Sequence, residues 1–417
     1  MKPNRRKFVT SILATSPVYL APTLLFAKHE SYTRREMDKK MQKKDSLAGM
    51  SRSDLPTPCL LLDLNRFEDN IEKMAGHSRS NSIDLRPHAK THKCVEIAQR
   101  QIKAGARGIC AATIAEAEVM SRAGIPGILI TSEMVGKPKI KRLIAIAKNS
   151  PDMMVAVDHP DNVRELQEAA EAARLRLNLM LDLDVGSNRT GTQPGEPALK
   201  LAQEIQKAKS LQLKGISAYA GHSSHVVGFE ARKASSKEAM GKALETRDLL
   251  RKNGFELAIL SGGSTGTYNI DSSIEGISEL QVGSYVFMDV DYRRIGGQSG
   301  DVYEDFAPSL TVLTTVIHRS GNKAVLDGGI KAIATDRKFG PEPRDLTGVT
   351  YSFAGDEHGR LLLENPSREV KLGDRLELII PHCDPNVNLY DRIYGLRGEK
   401  VETVWSVMDR AGAPAYF

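Results

Sequence analysis

Short apolar runs rich in β-branched residues alternate with amphipathic stretches through the middle of the chain. Eight such runs cover residues 83–88, 108–112, 127–132, 153–158, 177–184, 213–219, 257–261 and 280–287. Stretches with helical spacing of apolar positions lie between them, at 94–102, 114–123, 137–147, 162–173, 198–208 and 231–250. Eight alternating strands and helices predict a (β/α)8 barrel. A doubly wound open sheet is the alternative, but no Gly-x-Gly-x-x-Gly follows the first strand.

The pattern changes after residue 306. Alternating runs follow at 310–317, 323–326, 349–353, 361–364 and 375–380, separated by Gly and Asp. This spacing predicts an all-β domain over residues 306–417, after a barrel domain over residues 54–305. One more strand-like run, Cys59 to Leu64, and a helical pattern through Met74 precede the barrel. That extra strand has no place among the eight and is free to pair elsewhere.

The first 53 residues differ from the rest in charge and periodicity. Residues 1–29 contain no acid, and Arg5-Arg6-Lys7-Phe8 precedes a mostly apolar stretch from Val9 to Phe26. A basic segment followed by an apolar one is typical of an export signal, and the paired arginines resemble the twin-arginine type. We therefore predict a signal peptide at residues 1–27, a charged linker at 28–53 and a periplasmic protein. An uncleaved membrane anchor and a plain basic tail are the alternatives.

The net charge of +6 belongs to this leader and not to the body. Residues 1–53 hold twelve basic and four acidic side chains, which leaves a charge of −2 on the remainder. A body without an excess of basic residues gives no support for nucleic-acid binding. The four cysteines, at 59, 94, 110 and 383, include no C-x-x-C pair, so neither a zinc knuckle nor a thioredoxin-like site is indicated.

The first barrel strand leads into Arg86-Pro87-His88-Ala89-Lys90-Thr91-His92-Lys93. Polar residues at the carboxyl ends of barrel strands face the active site. A lysine that is desolvated there has a lowered pKa and a nucleophilic amine, which is what a Schiff-base lysine needs. Lys90 is therefore a candidate, against the plain alternative of a solvated loop lysine.

Glycine-rich turns follow the last two barrel strands. Leu260-Ser261-Gly262-Gly263-Ser264-Thr265-Gly266-Thr267 ends the seventh, and Gln281-Val282-Gly283-Ser284-Tyr285 belongs to the eighth. Glycines let backbone N–H groups approach an anion, and barrels frequently bind phosphate with these two loops. A lysine at the first strand and a phosphate cup at the last two fit pyridoxal phosphate. Two ordinary Gly/Ser turns are the alternative.

A second motif, Pro381-His382-Cys383-Asp384-Pro385, follows the strand at 375–380. On an extended segment His382 and Asp384 point to one side and Cys383 points away, because side-chain direction has period two. An imidazole with a carboxylate suits Mn²⁺, Mg²⁺ or Zn²⁺. The H-x-D pattern alone is a weak signal.

Several motifs together resemble the D-threonine aldolase / D-serine dehydratase family. They are Pro87–Lys93, Asp184-Val185-Gly186-Ser187-Asn188-Arg189-Thr190-Gly191, Tyr219-Ala220-Gly221-His222, Gly262-Gly263-Ser264 and Gly283-Ser284-Tyr285-Val286-Phe287. These are fold-type III pyridoxal-phosphate enzymes with an alanine-racemase-like barrel and a C-terminal β domain. The resemblance covers about residues 54–415.

The resemblance implies roles for particular residues. Lys90 would form the Schiff base with pyridoxal phosphate, and Tyr219 would contact the cofactor. The phosphate cup would consist of Gly263, Ser264, Thr265, Gly283 and Ser284. Arg189 would face the pyridine nitrogen, with a structural ion pair as the alternative. His222 and His225 are candidate acid/base groups, one of them structural. The family places its divalent metal at His382 and Asp384, with Cys383 as a less favoured ligand.

Asp384 favours one reaction, since family members that dehydrate D-serine tend to have Cys at this position and the aldolases have Asp. The expected function is retro-aldol cleavage of D-3-hydroxy amino acids to glycine and an aldehyde, in a homodimer. The alternatives are a D-serine or D-3-hydroxyaspartate dehydratase, a pyridoxal-phosphate-binding protein without catalysis and a non-enzymatic secreted binding module. A barrel-only binding protein lacks the β domain and the metal motif.

Overall fold

A computed structural model describes residues 49–408 and Arg410 of the chain. The predicted signal peptide and most of the predicted linker lie outside the described residues. No helix in the described part of the chain is long and apolar enough to cross a membrane.

The barrel is built from eight short parallel strands: β2 (Asp84–Leu85), β3 (Cys110–Ala111), β4 (Leu129–Ile130), β5 (Met154–Val157), β6 (Leu177–Asp182), β7 (Leu211–Ala218), β8 (Ile259–Gly262) and β9 (Glu279–Leu280). They form one sheet in the order β2-β9-β8-β7-β6-β5-β4-β3. A parallel bridge between His88 and Cys110 joins its two ends beyond β2. The predicted barrel is therefore confirmed.

Helices follow the strands around the outside: α1 (Leu64–Asn81), α2 (Val95–Lys103), α3 (Ile114–Arg122), α4 (Lys137–Asn149), α5 (Pro160–Ala172), α6 (Glu196–Lys207), α7 (Phe229–Lys252), α8 (Tyr268–Asp271) and α9 (Val290–Arg293). α1 shows why they form. The side chain of Asp63 caps its start by accepting from the N–H groups of Asn65 and Arg66 at 3.1 and 3.2 Å. Its buried residues Phe67, Ile71 and Met74 recur at helical spacing.

The predicted second domain is also confirmed as mostly β. Its strands are β10 (Leu310–Ser320), β11 (Lys323–Leu326), β12 (Glu342–Pro343), β13 (Val349–Phe353), β14 (Gly359–Leu363), β15 (Arg375–Ile379), β16 (Arg392–Arg397) and β17 (Lys400–Ser406), with one short helix, α10 (Cys383–Val387). The extra strand β1 (Cys59–Asp63) lies in this sheet, antiparallel to β10 and parallel to β16. The segments that precede and follow the barrel along the chain therefore both contribute strands to the sheet of the β domain.

One hydrophobic core crosses from the barrel into the β domain. The buried cluster that fills the barrel also contains Leu60, Val312, Ile380 and Trp405 from the second sheet. Backbone hydrogen bonds from Val290 to Ile380 (3.0 Å) and from Asp291 to Pro381 (3.1 Å) fix the two units together beside the barrel mouth. The segment that follows β15 therefore lies at the carboxyl ends of the barrel strands.

The barrel interior contains a bidentate ion pair between Arg86 on the first strand's exit and Glu279 on the last strand. Arg86 Nε and Nη2 donate to the two Glu279 carboxylate oxygens at 2.9 and 2.7 Å, and both side chains are 5% exposed or less. Removing one partner leaves an uncompensated buried charge, which is far more costly than removing both.

We expect Arg86→Met to lower the free energy of unfolding by about 3–5 kcal/mol in urea titrations, because Glu279 is then buried unpaired. The double variant Arg86→Met/Glu279→Met should lose less than Arg86→Met alone. Arg142→Met is the control, because its pair with Glu118 is exposed and should be worth about 1 kcal/mol or less. A loss below about 1 kcal/mol for Arg86→Met would contradict this account.

Candidate active site

Lys90 is the one cation of the Arg86–Lys93 segment that faces the barrel mouth. Arg86 is paired with Glu279 inside the barrel, and Lys93 pairs with Glu116 at 2.5 Å. A single 3-10 turn, Ala89–Thr91, places Lys90 beyond β2 and turns its ammonium toward the β domain. The ammonium of Lys90 forms an ion pair with the carboxylate of Asp384. The barrel and the β domain therefore meet at these two side chains.

This contact changes the chemistry expected of Lys90. Burial alone would lower the pKa of its amine, but the carboxylate of Asp384 outweighs burial and raises that pKa. The lowered pKa predicted from the sequence is therefore wrong for the protein without ligands, because the sequence did not show a carboxylate beside the amine. The same contact, with His382 adding to it, holds the pKa of Asp384 below its usual range although burial opposes this.

The two glycine-rich turns lie side by side at the mouth. Tyr285 N–H donates to Thr265 Oγ1 at 3.0 Å, and Tyr303 OH donates to the Thr265 carbonyl at 2.6 Å, which ties the loops together. Among the described residues nothing accepts a hydrogen bond from the backbone N–H groups of Gly263, Thr265, Gly283 and Ser284. Ser284 is the first residue of a short 3-10 turn. The N–H groups of Gly283 and Ser284 therefore lie at the start of a helical turn.

The glycines of this cup are required by close contacts. Gly263 has φ +73°, and a Cβ there would lie 2.7 Å from Leu280 and 3.1 Å from the Asp271 carboxylate. A Cβ on Gly283 would lie 2.7 Å from the Thr91 hydroxyl, one residue after Lys90. The cup is therefore narrow, rich in N–H donors and adjacent to Lys90. These features fit the phosphate of pyridoxal phosphate.

Tyr219 and Arg189 contact each other. Tyr219 follows β7 directly, and the guanidinium of Arg189 lies 5.8 Å from the centre of its ring. A Cβ on Gly221 would come within 2.9 Å of the Tyr219 ring. No carboxylate within the described residues forms an ion pair with Arg189, but its charge acts to lower the pKa of Glu133.

The two candidate histidines occupy different surroundings. His222 is exposed and lies against Gly186, where a Cβ would be 3.0 Å from the imidazole. His225 is partly buried, stacks on Tyr292 at 4.4 Å, and has Nδ1 3.2 Å from the Asp291 carboxylate. Burial lowers the pKa of His225 to about 4, and Arg337, His382 and Lys90 act in the same direction. These surroundings favour the neutral form of the His225 imidazole, although Asp291 opposes them.

The H-x-D motif has a different backbone from the expected one. His382 caps α10, and Cys383 and Asp384 are the first helical residues instead of part of an extended segment. The helix forms because Pro385 is tolerated in a first turn and Asp289 accepts from the Cys383 N–H at 2.9 Å. Cys383 is fully buried, with the pKa of its thiol raised by burial.

His382 and Asp384 offer two donors to a divalent cation. His382 Nδ1 lies 2.6 Å from the Asp336 carboxylate, which leaves Nε2 available. Asp384 Oδ1 is buried without a hydrogen-bond partner. No group of three or more His, Cys, Asp or Glu side chains within residues 49–408 is arranged to hold a metal. An ion that keeps several water ligands needs only one or two ligands from the protein. The pair of His382 and Asp384 therefore fits Mg²⁺ or Mn²⁺.

Sequence reasoning missed an acidic group at the ends of three barrel strands. Asp182, Glu133 and Asp158 interact there, beside Arg189. Burial and then Glu133 raise the pKa of Asp182 to about 7. No local signal marks these residues, because each follows a different strand and stands alone in the sequence.

Arg232 was also missed. It is fully buried at the start of α7 and donates to four carbonyl oxygens, those of Gly266, Val226, Ile295 and Gly296, at 2.8–2.9 Å. It ties together the loops that hold His225 and the phosphate cup. The sequence alone predicts Arg232 to be an ordinary charged residue on the exposed face of an amphipathic helix.

The chain was compared with known proteins. The family model of the alanine racemase N-terminal domain matches residues 62–291, and that of a serine dehydratase domain matches residues 309–396. A 3-hydroxy-D-aspartate aldolase from Paracoccus denitrificans is 36% identical over 369 residues, covering 88% of this chain and 95% of that protein.

Two solved structures are similar over most of their length. A D-threonine aldolase from Filomicrobium marinum has a TM-score of 0.84 and 38% identity, covering 87% of this chain and 98% of its own. A D-threo-3-hydroxyaspartate dehydratase from Delftia sp. HT23 has a TM-score of 0.78 and 25% identity, covering 86% and 99%. Variants of that dehydratase replace a histidine and, two positions further on, a cysteine, the latter in a metal-free form.

Proposed function

The chain belongs to the family of aldolases and dehydratases that join an alanine racemase-like barrel to a serine dehydratase-like β domain, and on this premise we propose a specific reaction. The protein is a lyase of the D-threonine aldolase type. It uses pyridoxal phosphate and a divalent metal ion to cleave D-3-hydroxy amino acids to glycine and an aldehyde. The observation that carries the proposal is that Lys90 of the barrel meets Asp384 of the β domain, beside His382.

The chain's own residues supply binding and proton transfer. The cup of Gly263, Ser264, Thr265, Gly283 and Ser284 would hold the phosphate through backbone N–H groups and hydroxyls, and Lys90 would be the residue that bonds the cofactor. Tyr219 and Arg189, which contact each other, would bind its ring. When bound, pyridoxal phosphate supplies the electron sink for cleavage of the Cα–Cβ bond, and the metal ion lowers the pKa of a ligated hydroxyl.

His225 is the proposed general base. Its Nε2 takes the proton of the substrate β-hydroxyl, and the Asp291 carboxylate near Nδ1 stabilises the resulting imidazolium. The 3.2 Å contact lacks hydrogen-bond alignment in the protein without substrate, as is common for catalytic contacts before substrate binds. His222, which is exposed and rests on Gly186, is the structural histidine of the pair.

The choice between aldolase and dehydratase rests on the second metal ligand. This chain has Asp384 two residues after His382, where the Delftia dehydratase has a cysteine at the same interval from a histidine. A carboxylate is a harder ligand than a thiolate and suits Mn²⁺ or Mg²⁺. Dehydration would use the same residues, with Lys90 taking the proton from Cα.

The test is product analysis with the full chain, pyridoxal phosphate, Mn²⁺ and D-threonine. We expect acetaldehyde and glycine in equal amounts, with loss of activity on adding a chelator or in Lys90→Ala. His225→Ala should lower kcat by about 10²–10⁴-fold, the size of a general-base contribution, and His222→Ala is the matched control with near-normal kcat. A 2-oxo acid and ammonia would instead identify a dehydratase, and cofactor absorbance without any product would identify a binding protein.

We further propose that the protein is an exported, periplasmic homodimer. The Arg5-Arg6-Lys7-Phe8 segment and the apolar stretch after it support export. The homodimer rests on the resemblance to the aldolase and dehydratase family. Cell fractionation followed by sizing of the recovered protein tests both points, and a cytoplasmic or monomeric protein would contradict them.

A further inference from the structure

Arg337 lies between the two histidines that the proposed reaction uses. Its Nε donates to Asp291 Oδ2 at 2.7 Å, and its Nη1 donates to Asp336 Oδ2 at 2.9 Å. Asp291 Oδ2 lies 3.2 Å from His225 Nδ1, and Asp336 Oδ2 lies 2.6 Å from His382 Nδ1. One guanidinium therefore connects two imidazoles, each through its own carboxylate.

This network crosses the boundary between the two domains. His225 and Asp291 come from the barrel, on the loop after β7 and on α9. Asp336 and His382 come from the β domain, between β11 and β12 and at the start of α10. The side chains of Asp291 and Arg337 are only 15% and 28% exposed, so solvent screens these contacts incompletely.

The geometry of arginine suits this bridge. A guanidinium presents several N–H donors in a rigid plane and serves two carboxylates at once, whereas a lysine acts as a point charge. Without the cation, two carboxylates beside the site would repel each other and be free to rotate away from their imidazoles. With it, Asp336 accepts from His382 Nδ1 and leaves Nε2 for a metal ion. Arg337 also fixes Asp291 beside His225, with Asp291 Oδ2 3.2 Å from Nδ1 but without hydrogen-bond alignment.

We propose that Arg337 is a positioning residue that fixes the base His225 and the metal ligand His382 together, through Asp291 and Asp336. This inference rests on the proposed function. Its consequence is that metal affinity and proton transfer depend on one side chain that touches neither substrate nor metal. Loss of either carboxylate removes only one of the two effects.

The test measures Mn²⁺ affinity and steady-state kinetics separately, on the enzyme loaded with pyridoxal phosphate. In Arg337→Gln we expect the Kd for Mn²⁺ to rise about 10-fold or more, the usual cost of losing the partner of a ligating histidine. At saturating Mn²⁺, kcat for D-threonine should still be about 10-fold low or lower, with KM little changed, because the support of His225 is also lost.

Two further variants separate the arms of the network. Asp336→Asn should raise the Kd for Mn²⁺ and regain normal kcat at saturating metal. Asp291→Asn should keep the Kd and lower kcat. Arg294→Gln is the matched control, because Arg294 stacks on Phe339 at 4.1 Å and contacts neither histidine, so it should leave both values unchanged. If Arg337→Gln does not bind the cofactor or has a lower Tm than the wild type, the Kd and kcat values of the two aspartate variants decide the question.

Three results would overturn the proposal. They are an unchanged Mn²⁺ Kd in Arg337→Gln, a full recovery of its kcat at saturating Mn²⁺, or aspartate variants that both change Kd and kcat equally. A wild-type enzyme that binds Mn²⁺ but does not cleave D-threonine would instead contradict the proposed function. The Mn²⁺ affinities would still decide whether Arg337 supports His382.

Discussion

The placement of Lys90 and Asp384 next to each other at the domain boundary is the constraint on which the arrangement of the site depends. It joins the end of the first barrel strand to the first turn of α10 in the β domain. The side chains are 38% and 17% exposed, and charged groups partly withdrawn from water are stabilised by a partner, which here each is for the other. The β domain therefore does not only pack against the barrel: it also places the carboxylate of Asp384 at the barrel mouth.

The surrounding structure holds this contact in place. Asp289, the residue before α9, accepts from the Cys383 N–H, and the neighbouring backbone bonds to Ile380 and Pro381 continue the connection. Arg232 and the Asp291–Arg337–Asp336 bridge then tie the remaining loops to the same region. Stability and function are linked here, because the bonds that join the domains also orient the reactive groups.

Features with a local pattern could be predicted from the sequence. The alternation of strands and helices predicted the barrel, and the Gly-Gly-Ser-Thr and Gly-Ser segments directed attention to two turns whose N–H groups have no acceptor among the described residues. Features that depend on distant pairings could not be predicted. The raised pKa of Lys90, the acidic group around Asp182 and the role of Arg232 all come from contacts between separate parts of the chain. The backbone predicted for the H-x-D motif was also wrong. An extended segment was expected after the strand, but the Cys383 N–H donates to Asp289 and a helix begins there instead.

The most direct test of the central claim is an anomalous difference map from crystals grown with pyridoxal phosphate and Mn²⁺. The account predicts one strong manganese peak bound by His382 Nε2 and Asp384, with Lys90 released from Asp384 and continuous with the cofactor density. A manganese peak elsewhere, or Lys90 still paired with Asp384 and separate from the cofactor, would contradict it.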